Sequence, residues 1–302
     1  MFDIWIPITV TAGFFQNLRS AIQKKLKDNL TTLGAAYSRF VYALPVALIY
    51  LLALMHFGSL PLPQPDSKFF WFCLAGGITQ ILFTVSLLWL FSFKSFAVGT
   101  TFSKLEVIMV AIMAAAIMGE TISTWAVVAI AVSSLGVLAL SMGQNSLTLS
   151  GLITGLYQKS TLVSLVCAAL LGASSALYRG ATQALGYEPF YANAAYTLVV
   201  SLAIQTVIMG VYMLWRERDG LISVFVNWRW ASLAGIAGAL ASLCWFTAFT
   251  LQKAAYVRAL GQSELIFTFI ATLLFFKEKV SAMDYLGVSL VTLGILLLLI
   301  LG

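Results

Sequence analysis

EVIMVAIMAAAIMGETISTWAVVAIAVSSLG, Glu106–Gly136, is written twice in this chain. Moving the sequence by 158 positions lays it on Glu264–Gly294, ELIFTFIATLLFFKEKVSAMDYLGVSLVTLG. Glu106 then falls on Glu264, Glu120 on Glu278, Ser123 on Ser281 and Gly136 on Gly294. Upstream the register persists, with Gly77 on Gly235 and Phe91 on Phe249. With a shift of two more residues, Arg19 falls on Arg179 and Gln23 on Gln183. A self-match at fixed spacing over this much of a chain is the mark of duplication.

Composition identifies the solvent. Hydrophobic residues are 61% of the 302 and charged residues 9%, against about 45–50% and 25% in soluble domains. So much apolar surface has to face lipid. The three cysteines, Cys73, Cys167 and Cys244, form no spaced pair, which argues against a disulfide framework or a metal knuckle. One histidine, His56, is too few for most haem or zinc chemistry. No cofactor and no metal are expected. The net charge of +6 fits short basic membrane loops better than nucleic-acid binding. The N-terminus lacks the basic region and cleavage site of a signal peptide.

Each bilayer crossing needs roughly 17–25 mostly apolar residues. Runs of that kind lie near 4–22, 32–56, 69–92, 95–118, 122–141, 161–181, 190–214, 229–251, 254–276 and 281–301. The expected fold is an all-α integral membrane bundle of ten transmembrane helices. It divides into a first five-helix repeat, 1–142, a linker, 143–159, and a second five-helix repeat, 160–302. Five is odd, so the second repeat crosses in the opposite sense. Inverted-topology repeats of this kind build many secondary transporters, with the solute bound near the midplane between them.

The ten spans, the five-plus-five duplication and the ending Ile117-Met118-Gly119-Glu120 resemble the EamA type of the drug/metabolite transporter superfamily. The likeness runs over essentially the whole chain. Its most specific part is a Glu fourteen positions before the Glu of the turn, Glu106 before Glu120 and Glu264 before Glu278. Two departures stand out. The family often has Pro after the first Glu, where this chain has Val107 and Leu265, and Lys277 replaces the Gly of the second turn. The resemblance implies export of amino acids or other metabolites; relatives move sugars, nucleotide-sugars and quaternary amines. It also implies cytoplasmic termini. Loop charge gives the reverse. With the termini inside, about ten Lys and Arg fall in outward loops and three in inward ones, so the positive-inside rule places both termini outward.

Ionisable residues inside spans are costly and mark function by default. Lys104, Glu106 and Glu264 are expected to contact or couple to the solute, together with Arg258, Gln262, Gln80, Thr84, Trp245, Tyr178 and Asn17. Glu106 lies about eleven residues into its span, about 16 Å deep at 1.5 Å per residue. The competing reading is structural: Glu264 paired with Lys104 or Arg258. Arg19, Arg179 and Arg39, near span ends, are expected to snorkel to headgroups. Glu120 and Glu278 are expected to stabilise turns beside Ser123 and Ser281. Trp5, Trp71, Trp125, Trp215, Trp228 and Trp230 read as an interfacial belt.

The expected activity is secondary-active transport of a small metabolite (amino acid, amine or similar amphipathic solute) by alternating access in a plasma or inner membrane, driven by a proton or solute gradient. A lipid-handling protein, such as a scramblase or lysolipid flippase, is the alternative, and a membrane enzyme a weaker one. The expected partners are the solute and the bilayer, not nucleic acid, with the chain a monomer or homodimer.

Overall fold

The computed structural model describes residues 3–58, 60, 63–90, 105–145, 158–271, 273 and 281–302. Among the described residues there is no strand. In chain order the helices are α1 (Trp5–Leu26), α2 (Thr32–Val41), α3 (Ala43–Gly58), α4 (Ser67–Leu90), α5 (Glu106–Met118), α6 (Thr124–Asn145), α7 (Lys159–Leu185), α8 (Phe190–Arg216), α9 (Arg218–Val226), α10 (Trp228–Leu251), α11 (Ala254–Gly261), α12 (Ser263–Ala271) and α13 (Ala282–Leu301).

Local chemistry sets the ends. The Thr31 hydroxyl accepts from the Gly34 amide at 3.0 Å, Asp66 from Phe69 at 2.8 Å and Ser123 from Ala126 at 3.1 Å. Each supplies a partner to an amide that the first helical turn leaves unpaired. At α13 the arrangement is a full capping box between Ser281 and Asp284. Gly119 closes α5 at φ +65°, with its amide bonded to Ala115, a left-handed conformation that costs a side-chain-bearing residue. The break between α2 and α3 at Tyr42 precedes Pro45. Proline has no amide for the Val41 carbonyl, and its ring crowds that oxygen.

Among the described residues, seven helical stretches are long and apolar enough to cross a membrane: Thr32–Gly58, Ser67–Leu90, Thr124–Gly143, Lys159–Leu185, Phe190–Arg216, Trp228–Leu251 and Ala282–Leu301. They correspond to seven of the ten expected spans. The other three are not in that set. Helix α1 is 22 residues long but carries Gln16, Asn17, Arg19, Ser20 and Gln23. The expected span 95–118 is described from residue 105 onward, as the 13-residue α5. The expected span 254–276 is interrupted at Gln262, giving α11 and α12. Polarity in α1 and interruption at Gln262 thus fall in two segments that carry residues expected to contact the solute, Asn17 in the one and Arg258, Gln262 and Glu264 in the other. Between the expected spans 190–214 and 229–251 lies the short helix α9.

Packing is reciprocal. α1 lies along α10, α4 along α7, and α6 along α13. At the α6–α13 contact the backbones approach closely. A Cβ on Gly136 would stand 2.6 Å from the Val291 amide nitrogen, and one on Gly287 would stand 2.6 Å from that of Leu140. In lipid, helices associate by van der Waals contact and not by expelling water, and small residues let that contact form. The outward faces are apolar, with Ile49, Leu52, Val207 and Ile300 well exposed. Trp71, Trp125, Trp215, Trp228 and Trp230 are exposed as expected of a belt, whereas Trp5 is buried.

Candidate functional site

The polar side chains that the apolar surface excludes meet in the middle of the bundle. α1 presents Gln16, Arg19 and Gln23 at spacings of three and four, hence on one face. With Arg39 of α2, Thr84 of α4, Glu106 of α5 and Glu264 of α12, that face lines a cavity of about 180 Å³. Two narrower spaces adjoin it, of about 10 Å³ each, lined among others by Tyr178, Trp245, Arg258 and Gln262. All described members of the expected site line these three spaces. Lys104 lies outside the described residues, as do Lys94, Lys277 and Glu278.

Glu106 and Glu264 occupy equivalent places in a second sense. Each lies in the first turn of its helix, α5 or α12. Ahead of α12 the turn is tight: Gln262 donates to the Ala259 carbonyl at 3.2 Å, and Leu265 donates to that of Gln262 at 2.9 Å. A helix that starts inside the bundle aims its partial positive charge at the carboxylate on its first turn. Interrupted helices whose ends face a central site are a recurrent construction in membrane carriers.

Arg258 joins the two halves. It is 5% exposed, and its Nη1 lies 3.8 Å from Glu106 Oε1. Its guanidinium stands 4.2 Å from the centre of the Trp245 ring, and its Nε donates to Ser175 at 3.3 Å. Among the described residues the carboxylate in ion-pair range of Arg258 is Glu106, and Glu264 also acts on Arg258 electrostatically. Trp245 is buried and donates to Gln16 at 3.0 Å. Gln205 of α8 donates to Gln80 at 3.1 Å and to the Tyr178 hydroxyl at 2.9 Å, behind the cavity wall. Ser133 donates to Gln262.

Three arginines correct the snorkelling expectation. Arg19 and Arg39 are 4% and 5% exposed and line the main cavity; Arg39 donates to Thr84 at 3.1 Å. Arg179 is also buried. It pairs with Glu120 and donates to the carbonyls of Phe249 and Gln252 at the end of α10. Hydropathy puts these residues near span ends because their helices extend beyond the apolar run; burial in protein replaces the headgroup region. Glu120 therefore does more than stabilise a turn, and Ser123 caps α6. Lys253 and Tyr256 add contacts to Thr121 and Ser123 on the same side. The α5–α6 turn of the first half is thereby fastened to the α10–α11 turn of the second.

A charged, protein-enclosed cavity among helices of membrane length and lipid-type surface defines a multi-pass membrane protein. Residues 159–300 match the EamA-like transporter family, a family of the drug/metabolite transporter superfamily. A curated relative from Sinorhizobium sp., "Uncharacterized transporter in cobO 3'region", is 35% identical over 72 residues, 24% of this chain and 51% of the relative. The match thus spans about half the length of that relative. A solved structure described as "Crystal structure of protein" is similar with a TM-score of 0.66 at 13% identity, over 97% of this chain and 94% of that one. At that identity the likeness is one of fold.

Proposed function

We propose that this protein is a secondary-active transporter that moves a small amphipathic metabolite, such as an amino acid or amine, by alternating access. The observation that carries the reading is the composition of the central cavity. Gln16, Arg19, Arg39 and Glu106 come to it from the first half of the chain, and Arg258 and Glu264 from the second. Charges are retained inside a membrane bundle where they meet solute, ions or one another, and two arginines here are spared for the first of these. The cavity of about 180 Å³ is below the roughly 300–1,000 Å³ of drug-sized pockets, which favours a small metabolite over a lipid.

The mechanism follows from the duplicated sequence. Residues 1–142 and 160–302 are two inverted five-helix repeats, joined by 143–159. The exchange of partners between α1–α10 and α4–α7 supports this, since α1 corresponds to α7 and α4 to α10. Rocking of one repeat on the other opens the cavity to either side in turn. The fastening of Glu120 and Arg179 to α10 closes one side and has to part when that side opens. Loop charge puts both termini outward and the Arg216–Asp219 segment in the cytoplasm. Solute or proton binding drives the exchange to the extent that it favours one state over the other.

The test begins with a thermal-shift screen of purified protein against amino acids, small acids, amines and sugars. A ligand at a hundredfold excess over Kd adds about 2.7 kcal/mol to stability. Uptake of the hit is then measured in vesicles across a pH series, for wild type, Glu106→Gln and Glu264→Gln. The reading expects altered affinity or pH dependence in at least one variant. Uptake by both that matches wild type would make the two carboxylates purely structural.

A further inference from the structure

The charges facing the central cavity do not balance. Among the described residues lining the three connected spaces are three guanidiniums, Arg19, Arg39 and Arg258, and two carboxylates, Glu106 and Glu264. Arginine stays protonated at any pH a cell meets. Protonating either glutamate increases the positive excess, so it persists whatever the state of the carboxylates.

Arg258 is in ion-pair range of Glu106 and lies against Trp245. Arg19 and Arg39 form a basic pole within electrostatic reach of Arg258, and Arg19 also of Glu264. Their stems lie on the same glycine of α10: a Cβ on Gly238 would be 3.4 Å from Arg19 Cδ and 3.4 Å from Arg39 Cγ. Among the described residues neither guanidinium is in an ion pair. Arg19 Nε is buried without a hydrogen-bond partner, and Nη2 reaches Ser20 at a long 3.4 Å. Two like charges held side by side in a low-dielectric interior, one with an unused N–H, are matched by a planar oxyanion that accepts from both. Beside them the main cavity is walled by Phe83, Leu87 and Leu171, an apolar lodging for the rest of a ligand.

We propose that Arg19 and Arg39 form a carboxylate subsite, and that the solute taken by the cavity is a small organic acid of net charge −1 with an apolar body. This rests on the reading of the cavity as the solute site and narrows its substrate class: amines are rejected, and neutral analogues bind weakly. Glu106 and Glu264 line the same cavity, where their charge opposes a second carboxylate and so disfavours dianions.

Binding is measured by thermal shift and calorimetry on the purified, delipidated full chain in detergent. The probes are phenylacetate, phenylacetamide and 2-phenylethylamine, then hexanoate, hexanamide and hexylamine. Both carboxylates are expected to stabilise wild type, with the amides at least about tenfold weaker, since a charge-assisted hydrogen bond is worth about 1.5–3 kcal/mol. Arg19→Gln is expected to weaken carboxylate binding at least about tenfold, and Arg19→Lys to recover part of it. Glu106→Gln, which removes an opposing charge, is expected to tighten it. That opposite sign keeps the test decisive should Arg19→Gln misfold. Stabilisation by the amines and not the acids would overturn the proposal, as would no response to any probe at 10 mM. Dihexanoyl-phosphatidylglycerol tests the other source of an oxyanion; a response to it alone would assign the pole to lipid and also overturn the proposal. Vesicle uptake of the same probes separates this inference from the transport reading. Acids that bind without being moved would sink transport and leave the subsite standing. Amines moved in place of acids would sink the subsite and leave transport standing.

Discussion

Arg258 and Glu106 offer the most direct test of whether the buried charges act as a set. At 3.8 Å and an effective dielectric constant of about 20, their attraction is about 4 kcal/mol. Desolvation of both groups offsets much of that, so the net value of the pair is small while the cost of breaking it is not: about 3–5 kcal/mol when one partner is removed from a buried pair. Arg258→Gln also loses the Trp245 face and the Ser175 bond, so by itself it overstates the pair. A double-mutant cycle cancels those losses, since they occur in both the single and the double variant. The expected coupling between Arg258→Gln and Glu106→Gln is about 1.5–3 kcal/mol, the double variant being more stable than the sum of the singles predicts. Reversible unfolding of the four proteins in mixed detergent micelles measures it. Additivity within about 0.5 kcal/mol would refute the pairing across the two halves.

Gly119→Val is expected to lose about 1–2 kcal/mol, because the left-handed backbone at φ +65° is strained for any β-branched residue. Gly119→Asn loses less, and since a Cβ there meets nothing within 4 Å, thermal unfolding of the pair isolates the backbone effect from packing. Gly136→Leu is expected to destabilise by at least about 1–3 kcal/mol, because the obstacle is the Val291 backbone, which cannot rotate away; melting temperatures of Gly136→Ala and Gly136→Leu should fall in that order. Glu120→Gln and Arg179→Gln are each expected to expose the closed side, read as faster maleimide labelling of a cysteine introduced at Ser123, and unchanged labelling in both would remove the fastening from the account. A reporter fused after Gly302 should read as outside the cytoplasm and one inserted at Asp219 as inside; the reverse pair of signals would show that the orientation implied by the family resemblance holds.

Much of this was legible in the sequence because lipid is a simple solvent. Apolar runs must be helices, so the residues bounding α4, α7, α8, α10 and α13 were read to within about four positions. The polar cluster was legible for the same reason: Gln80, Thr84, Tyr178, Arg258 and Glu264 had nowhere to go but inward, and they line the connected spaces. Arg19, Arg39 and Arg179 were misread because a rule based on depth along one helix ignores its neighbours. α1 continues to Leu26, four residues past the expected end, and α2 begins at Thr32, so positions that look peripheral on a hydropathy trace are enclosed by α4, α7 and α10. The signal that would have found two of them was present: Arg19 and Arg179 coincide in the duplication, and a snorkelling residue has no reason to occur twice in register. The break at Gln262 lies in the polar run Gly261-Gln262-Ser263-Glu264, which was read as the solute-facing side of one continuous span and not as the end of one helix and the start of another.

Solute counterflow in sealed vesicles tests the central claim most directly. Vesicles containing the purified protein are loaded with a high concentration of an unlabelled solute selected by the thermal-shift screen, then diluted into a trace of the same solute labelled. A carrier with one central site exposed to each side in turn predicts transient uphill accumulation of label. That accumulation should depend on the internal load and be abolished by substitutions at Arg19 and Arg258 together. Label that only equilibrates downhill, at a rate indifferent to the internal load and to those residues, would contradict alternating access through this cavity.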